Sequence, residues 1–275
     1  MNKCLVTKLN GVVSNKNLTP LGCVAFTAYP SNNTLKLECT GNNVEYFTAN
    51  GEAIFSTDKS NYVNRISAGQ QVFIKTDKPA LVFISNKYEL TKVDIFDSVS
   101  NVRFDIDFND FKYCKKLTWL AITNMALTGD ISSLSSLTGL QTLDLASTSV
   151  TGDISSLSSL TGLQTLDLNT TSATGDISSL SSLTGLQRLI LFNLSISGDI
   201  SSFNNMIGLT ELKMGNQCTG YFKTLCNSLK NNGKTLGTLT FWAFGGQIKI
   251  DNQTDCPNND VIATFSEGGI SYSGL

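Results

Sequence analysis

The sequence predicts a mainly β chain in which a small N-terminal domain of short strands leads into a parallel-stranded solenoid. Two observations carry this reading. Gly129, Gly152, Gly175 and Gly198 stand 23 residues apart, and each opens a near-copy of one unit. Upstream of that region there is no such period, only short apolar or alternating runs broken by turn residues. With 275 residues, 41% of them hydrophobic, the chain has enough apolar material for a real core. Three regions follow: 1–104, a β-sandwich-like docking or capping domain; 105–244, the solenoid; and 245–275, a β-type C-terminal cap.

In the N-terminal region Leu5–Val13 reads as a short strand running past a glycine, and Val24–Tyr29 as a second that stops at Pro30. Thr34–Cys39 alternates at period two, Val44–Tyr46 continues the pattern, and Ala53–Phe55 is a short apolar run. Gln71–Lys75 and Ala80–Ile84 flank the turn Asp77-Lys78-Pro79.

The repeated unit is GDISSLSSLTGLQTLDLASTSVT from Gly129, and the copy from Gly152 differs from it at three positions. The copy from Gly175 diverges after Gln187, and a fourth begins at Gly198. A degenerate earlier copy shows as Phe108, Phe111, Cys114, Leu117, Leu120 and Ile122, and a later one as Leu236, Leu239 and Phe241. Periods of about 20 to 29 residues with the LxxLxL pattern are the leucine-rich-repeat signature.

Within one unit, Leu143 and Leu145 point inward and Thr142 and Asp144 outward, because a strand alternates its faces. Successive copies then stack these strands into a parallel sheet. In Ile131–Leu137 the apolar residues fall at every third position, which is the period of a 3₁₀ helix and not of an α-helix. The convex side is therefore expected to carry 3₁₀ turns with paired serines facing water. Asp130 is placed to cap such a turn by accepting the N–H of Ser132 or Ser133, and Gly129 lets the chain turn before it.

This pattern, over roughly residues 105 to 245, resembles the bacterial leucine-rich repeats of the internalin kind. The resemblance implies protein or glycan recognition and not catalysis. The chain departs from the family where it usually has an asparagine nine residues into the repeat: Thr148, Thr171, Leu194 and Gln217 stand there. A threonine still bonds neighbouring backbone, but Leu194 cannot, so the side-chain bonding is expected to lapse in that copy.

Three outward columns follow on the concave side. They are Trp119, Thr142, Thr165, Arg188, Glu211 and Thr238; then Ala121, Asp144, Asp167, Ile190, Lys213 and Thr240; then Thr123, Ala146, Asn169, Phe192, Gly215 and Trp242. Column neighbours lie about 4.8 Å apart, so six strands span roughly 24 Å, which suits a peptide, a glycan or a small protein epitope. Core and serine positions barely change while outward positions change in the third and fourth copies, so the variable columns are the candidate ligand-binding face. Trp119, Phe192 and Trp242 are candidate anchors, since aromatic residues and arginine dominate interface energetics. Trp119 and Trp242 also read as residues packed under the flanking domain and tail, because terminal repeats are where caps dock. Asp144 and Asp167 read either as a site for a cation or basic partner or as a solvated surface patch.

The composition narrows the chemistry. The absence of histidine removes the commonest general base and metal ligand, so neither a Ser-His-Asp site nor an imidazole-dependent zinc site can form within the chain. No cofactor or catalytic residue is expected. Asp94, Asp97, Asp105, Asp107 and Asp110 form the one carboxylate cluster near the β-domain, and no paired-acid motif singles out two of them. A net charge of -2 gives no electrostatic reason to expect nucleic acid or an anionic membrane surface. No apolar run is long enough to cross a bilayer, and Met1–Lys8 has a lysine with no apolar core after it, so no secretory signal is expected. The seven cysteines lack a CxxC spacing; they read as reduced, buried thiols or as including a disulfide of Cys218 with Cys226 or one that uses Cys256.

The opening Cys4–Val13, with Asn17-Leu18 and Leu21-Gly22, resembles the start of structural proteins from phages of gut Bacteroides-type bacteria. That resemblance implies a virion appendage whose N-terminal domain docks on other virion subunits and whose repeats face outward. The alternatives are a secreted or surface-held bacterial adhesin that binds a host or neighbouring-cell protein, and a purely structural virion protein.

Overall fold

A computed structural model describes residues 23–30, 35–39, 45–48, 62–66, 71–75, 80–85, 87–97, 102–104, 108–215, 217–221, 224–225, 228, 231–232, 240–244, 248–249, 262–266 and 269–273. The chain forms two compact units, Met1–Leu127 and Thr128–Leu275.

The first unit holds β1 (Cys23–Pro30), β2 (Leu35–Cys39), β3 (Glu45–Thr48), β4 (Tyr62–Ile66), β5 (Gln71–Lys75), β6 (Ala80–Ser85), β7 (Leu90–Asp97), β8 (Val102–Phe104) and β9 (Trp119–Thr123). One sheet runs β3-β5-β1-β7-β9 and another β4-β2-β6-β8. Most pairs are antiparallel, but β7 with β9 and β6 with β8 are parallel. Five of the strands read from sequence are present, with a bulge at Tyr29/Pro30. The strand at Leu5–Val13 and the apolar run at Ala53–Phe55 lie outside the described residues. The unit's core includes Phe26, Val72, Ile74, Val93 and Ile95. Phe108, Phe111, Cys114, Leu117, Leu120 and Ile122, which the sequence marks as a degenerate first copy, are all buried here.

The second unit holds β10 (Thr128–Asp130), β11 (Thr142–Asp144), β12 (Ser149–Asp153), β13 (Thr165–Asp167), β14 (Ser172–Asp176), β15 (Arg188–Leu191), β16 (Ser195–Asp199), β17 (Glu211–Met214), β18 (Cys218–Tyr221), β19 (Thr240–Phe244), β20 (Ile248–Lys249), β21 (Ile262–Ser266) and β22 (Gly269–Ser273). The strands β11-β13-β15-β17-β19 form one parallel ladder, and β10-β12-β14-β16-β18-β20 form a second. The two ladders have different offsets. Thr142 pairs with Thr165, 23 residues on, whereas Thr151 pairs with Ser172, 21 residues on. The tail supplies an antiparallel hairpin, β21-β22, whose second strand pairs with β19. It thereby covers the last parallel edge, which would otherwise present unpaired N–H and C=O groups.

The turns joining the ladders are 3₁₀, as the three-residue spacing predicts: Ile131–Leu134, Ile154–Leu157, Ile177–Leu180 and Ile200–Phe203. Each is capped by the preceding aspartate, and Asp130 Oδ1 accepts the Ser132 N–H at 2.8 Å, as do Asp153, Asp176 and Asp199 from Ser155, Ser178 and Ser201. Ile131, Leu134, Leu137, Leu140, Leu143 and Leu145 of one unit are no more than 1% exposed. Each such side chain contributes roughly 1.5–3 kcal/mol relative to exposure.

The serines of the 3₁₀ side do more than face water. Ser159 Oγ donates to the Ser135 carbonyl at 2.7 Å and Ser182 Oγ to the Ser158 carbonyl at 2.9 Å, joining successive coils. The threonines in the usual asparagine position bond locally: Thr148 Oγ1 donates to the Leu145 carbonyl at 2.6 Å and Thr171 Oγ1 to that of Leu168 at 2.8 Å. Leu194 is buried instead, so the side-chain bond lapses in that copy as expected.

Candidate functional site

The outward columns come into register on the first ladder. Thr142 pairs with Thr165, Thr165 with Arg188 and Arg188 with Glu211; Asp144 pairs with Asp167, Asp167 with Ile190 and Ile190 with Lys213. The last coil departs from the sequence reading. Glu211 pairs with Thr240 and Lys213 with Trp242, so Trp242 stands two positions from where the column count put it. The connection after Gly215 is longer than in earlier copies, and a slip of two preserves the inward–outward alternation where a slip of one would invert it. The Trp242 side chain lies outside the described residues, as do Thr238, Leu236 and Leu239.

Trp119 belongs to the first unit, opposite Lys92 on β7. Lys92 Nζ stands 4.0 Å from the ring centroid, and the indole N–H is enclosed without a hydrogen-bond partner. Register also places Asp94 opposite Ala121, so β7 carries column positions that the 23-residue period does not reveal, its offset from β9 being 27.

The aspartates of the middle column are enclosed and not solvated. Asp144 is 4% and Asp167 7% exposed. Asp144 Oδ1 accepts the Ala146 N–H at 3.2 Å and Asp167 Oδ1 the Asn169 N–H at 3.0 Å, so both carboxylates brace the turn that leaves their strand. Thr142 is buried and Ile190 is 2% exposed, so neither presents the open side chain that its outward column position implied. Its flanking strands carry Asp167 and Lys213 at the paired positions, and close column spacing lets neighbours cover a short side chain.

The accessible part of the face is a charged strip. Arg188 pairs with Glu211, and its Nη2 lies 3.8 Å from Asp167 Oδ2. Lys213 Nζ meets the other Glu211 oxygen at 2.6 Å. Glu211 is thus held between two cations from its own strand and the one before. The Arg188 side chain keeps 41% of its surface exposed; its register partner Thr165 is half-buried, as are Asn169 and Phe192 further along the same two coils. Such pairs contribute little to stability at a surface, but they fix donors and acceptors in place.

Other predicted features find structural roles. Cys114 and Cys218 are free, buried thiols, so the Cys218–Cys226 bridge is not formed. Burial pushes the Cys114 thiol up to about 11 and the Cys218 thiol up to about 12. Asp110 forms an ion pair with Lys87 at 2.7 Å. Among the described residues no three His, Cys, Asp or Glu side chains stand together as metal ligands, and no helix is long and apolar enough to cross a membrane.

Residues 138–183 match the family described as leucine-rich repeats in two copies. These are leucine-rich repeats. The parallel ladder with short 3₁₀ turns is the corresponding solenoid. Similar solved structures include internalin C2 of Listeria monocytogenes, 22% identical, covering 62% of this chain and 77% of that one with a TM-score of 0.45. Internalin F of the same bacterium is 24% identical over 57% of this chain and 43% of that one, TM-score 0.42. The leucine-rich-repeat ectodomain of the membrane receptor kinase GASSHO1/SCHENGEN3 from Arabidopsis thaliana, solved with CASPARIAN STRIP INTEGRITY FACTOR 2, is 21% identical over 59% of this chain, TM-score 0.45. The match spans 22% of that receptor chain. No curated protein matches the sequence.

Proposed function

We propose that the chain is a non-enzymatic recognition protein that binds a protein or cell-surface glycan along the first ladder, with Arg188, Glu211, Lys213, Asn169 and Phe192 as its contact strip. One observation carries this reading. Through the copies from Gly129, Gly152 and Gly175 the core and the 3₁₀ side are constant up to the strand, while the half-exposed outward position moves from Thr165 to Arg188 and, in the more divergent fourth copy, to Glu211. Folding demands nothing of that kind at outward positions, and recognition does. The ordered Arg188–Glu211–Lys213 pairs supply charge-assisted donors and acceptors at low ordering cost.

The test is site-specific photo-crosslinking against bacterial envelope fractions. A photoreactive residue at Phe192 or Asn169 is expected to capture a partner, and one at Ser182 on the 3₁₀ side is not. Adducts from Ser182 alone would place recognition on the other face and overturn the assignment.

The resemblance of Cys4–Gly22 to phage structural proteins supports a virion location, with the N-terminal domain docked on other virion subunits. A bacterial surface or secreted adhesin is the competing location. Mass spectrometry of purified phage particles separates them: stoichiometric recovery of this chain supports the virion, and recovery only from envelope or medium rejects it.

A further inference from the structure

A second surface stands out on the first unit. Tyr88 and Tyr113 are 42% and 56% exposed, and their rings meet edge to face with centroids 5.8 Å apart. Lys87 Nζ lies 5.7 Å from the Tyr88 centroid and Lys112 Nζ 4.9 Å from that of Tyr113. The corner is built on a firm base. Phe108 and Phe111 of the same 3₁₀ segment are buried, and the Cys114 thiol points at the Lys87 and Asp110 carbonyls at 3.7 and 3.9 Å.

Comparison with the repeats shows that folding does not require this chemistry. Phe111, Cys114 and Leu117 occupy the places that Leu134, Leu137 and Leu140 take one period later, and all six are buried. The exposed positions between them are Ser135, Ser136, Thr138 and Gly139 in the regular copy, but Lys112, Tyr113, Lys115 and Lys116 here. Small neutral residues have been replaced by three lysines and a tyrosine, with Lys87 and Tyr88 set against them. Among the described residues Asp110 pairs with Lys87 and Glu89 with Lys116, each at 2.7 Å. Counted over its described residues, the patch holds four lysines and two carboxylates in a chain whose net charge is -2.

We propose that this corner binds an acidic polysaccharide, in which uronic-acid carboxylates meet the lysines and sugar C–H faces lie on the tyrosine rings. Three features favour that partner. Protein interfaces are enriched in arginine and depleted of lysine, whereas this patch has four lysines and no arginine. Duplex nucleic acid carries a charge about every 1.7 Å, a denser line of charge than a patch with Asp110 and Glu89 set among its lysines matches. A uronate chain spaces its charges more widely and presents apolar faces to an aromatic pair, while the ammonium groups make charge-assisted bonds to its carboxylates.

The proposal is independent of the ladder reading and is tested separately. Full-length protein is titrated with an oligogalacturonate, with a neutral malto-oligosaccharide, with oligothymidylate and with a polyglutamate peptide. Binding of the oligogalacturonate alone is expected, weakened roughly tenfold by Tyr113→Ala or Lys112→Gln, and falling with added salt. Both substituted residues are exposed, and an unchanged melting curve confirms that the variants are folded. No binding of the oligogalacturonate, binding that the variants leave intact, or tighter binding of oligothymidylate or polyglutamate would overturn it.

Discussion

The carboxylate of Asp130 occupies the space into which a side chain on Gly152 would project: a Cβ built there would lie 2.4 Å from Asp130 Oδ1 and 3.0 Å from Ile131 Cγ1. The same contact recurs between Asp153 and Gly175, Asp176 and Gly198, and Asp199 and Gly220. Each glycine also has a positive φ, 111° at Gly152. The aspartate that caps one turn thus needs a glycine in the next coil.

Gly152→Ala is therefore expected to cost about 2–4 kcal/mol, from backbone strain together with a displaced cap. In an Asp130→Ala background the same change should cost about 1 kcal/mol less, because the cap is already gone. Urea denaturation of the four proteins measures the coupling; equal costs in both backgrounds would refute it.

Thr170 has φ 54°, in the left-handed region, at the position that Asn124, Ser147 and Asn193 occupy in neighbouring coils with φ 55–57°. A β-branched residue is the least suited of these to that conformation. Thr170→Asn should raise stability by about 0.5–1 kcal/mol, reduced by loss of the Thr170 Oγ1 bond to Asn169. A melting temperature that falls would show the bond to outweigh the strain.

Acid should loosen the coil joints. Asp153 is held below its ordinary value of 3.8 by the backbone N–H and then the side chain of Ser155, and Asp176 by the side chain and then the backbone N–H of Ser178. A depressed carboxylate contributes stability that is present above 3.8 and is lost as pH falls through the lower folded value. The Asp153→Asn, Asp176→Asn double variant should lose less stability than the parent between pH 5 and the acid limit. Parallel curves would mean that the caps do not drive acid unfolding.

The buried thiols set the alkaline side. Cys218 keeps its proton up to about 12 when folded but ionises near 9.0 when unfolded. A raised value gives stability that is intact below 9.0 and declines as pH rises toward 12. Near pH 10 this single group should account for on the order of 1 kcal/mol of lost stability. Cys218→Ala is expected to be the weaker fold at pH 7 and to close that gap by pH 10. A gap that stays constant would show that the thiol does not titrate with unfolding.

Much of the solenoid is legible in the sequence because one residue recurs for one reason. Spacing marks the 3₁₀ turns, and Asp130 announces its bond to Ser132. The face is harder to read. A column position says that Ile190 or Asp144 leaves the strand outward, but not that neighbours in the stack will enclose it or that a turn N–H will claim the carboxylate. The two-residue slip at Trp242 hides in a connection with no repeat signal. In the N-terminal unit, Tyr62–Ile66, Leu90–Asp97 and Val102–Phe104 escape because mixed pairing gives these short segments no shared period, and β7 follows an offset of 27 that the glycine spacing does not disclose.

The side-chain bonds that stitch the coils together, from Ser159 to Ser135 and from Ser182 to Ser158, each reach back a single coil. The stack therefore keeps no record of its own length. A block from Gly152 to Thr174 is flanked by the same Thr-Gly junction at both ends, so its gain or loss would lengthen or shorten the face by about 4.8 Å and keep the Asp–Ser caps and Ser–Ser bonds of the remaining coils. Reach and chemistry can then be inherited separately: copy number sets one, and the few outward residues set the other.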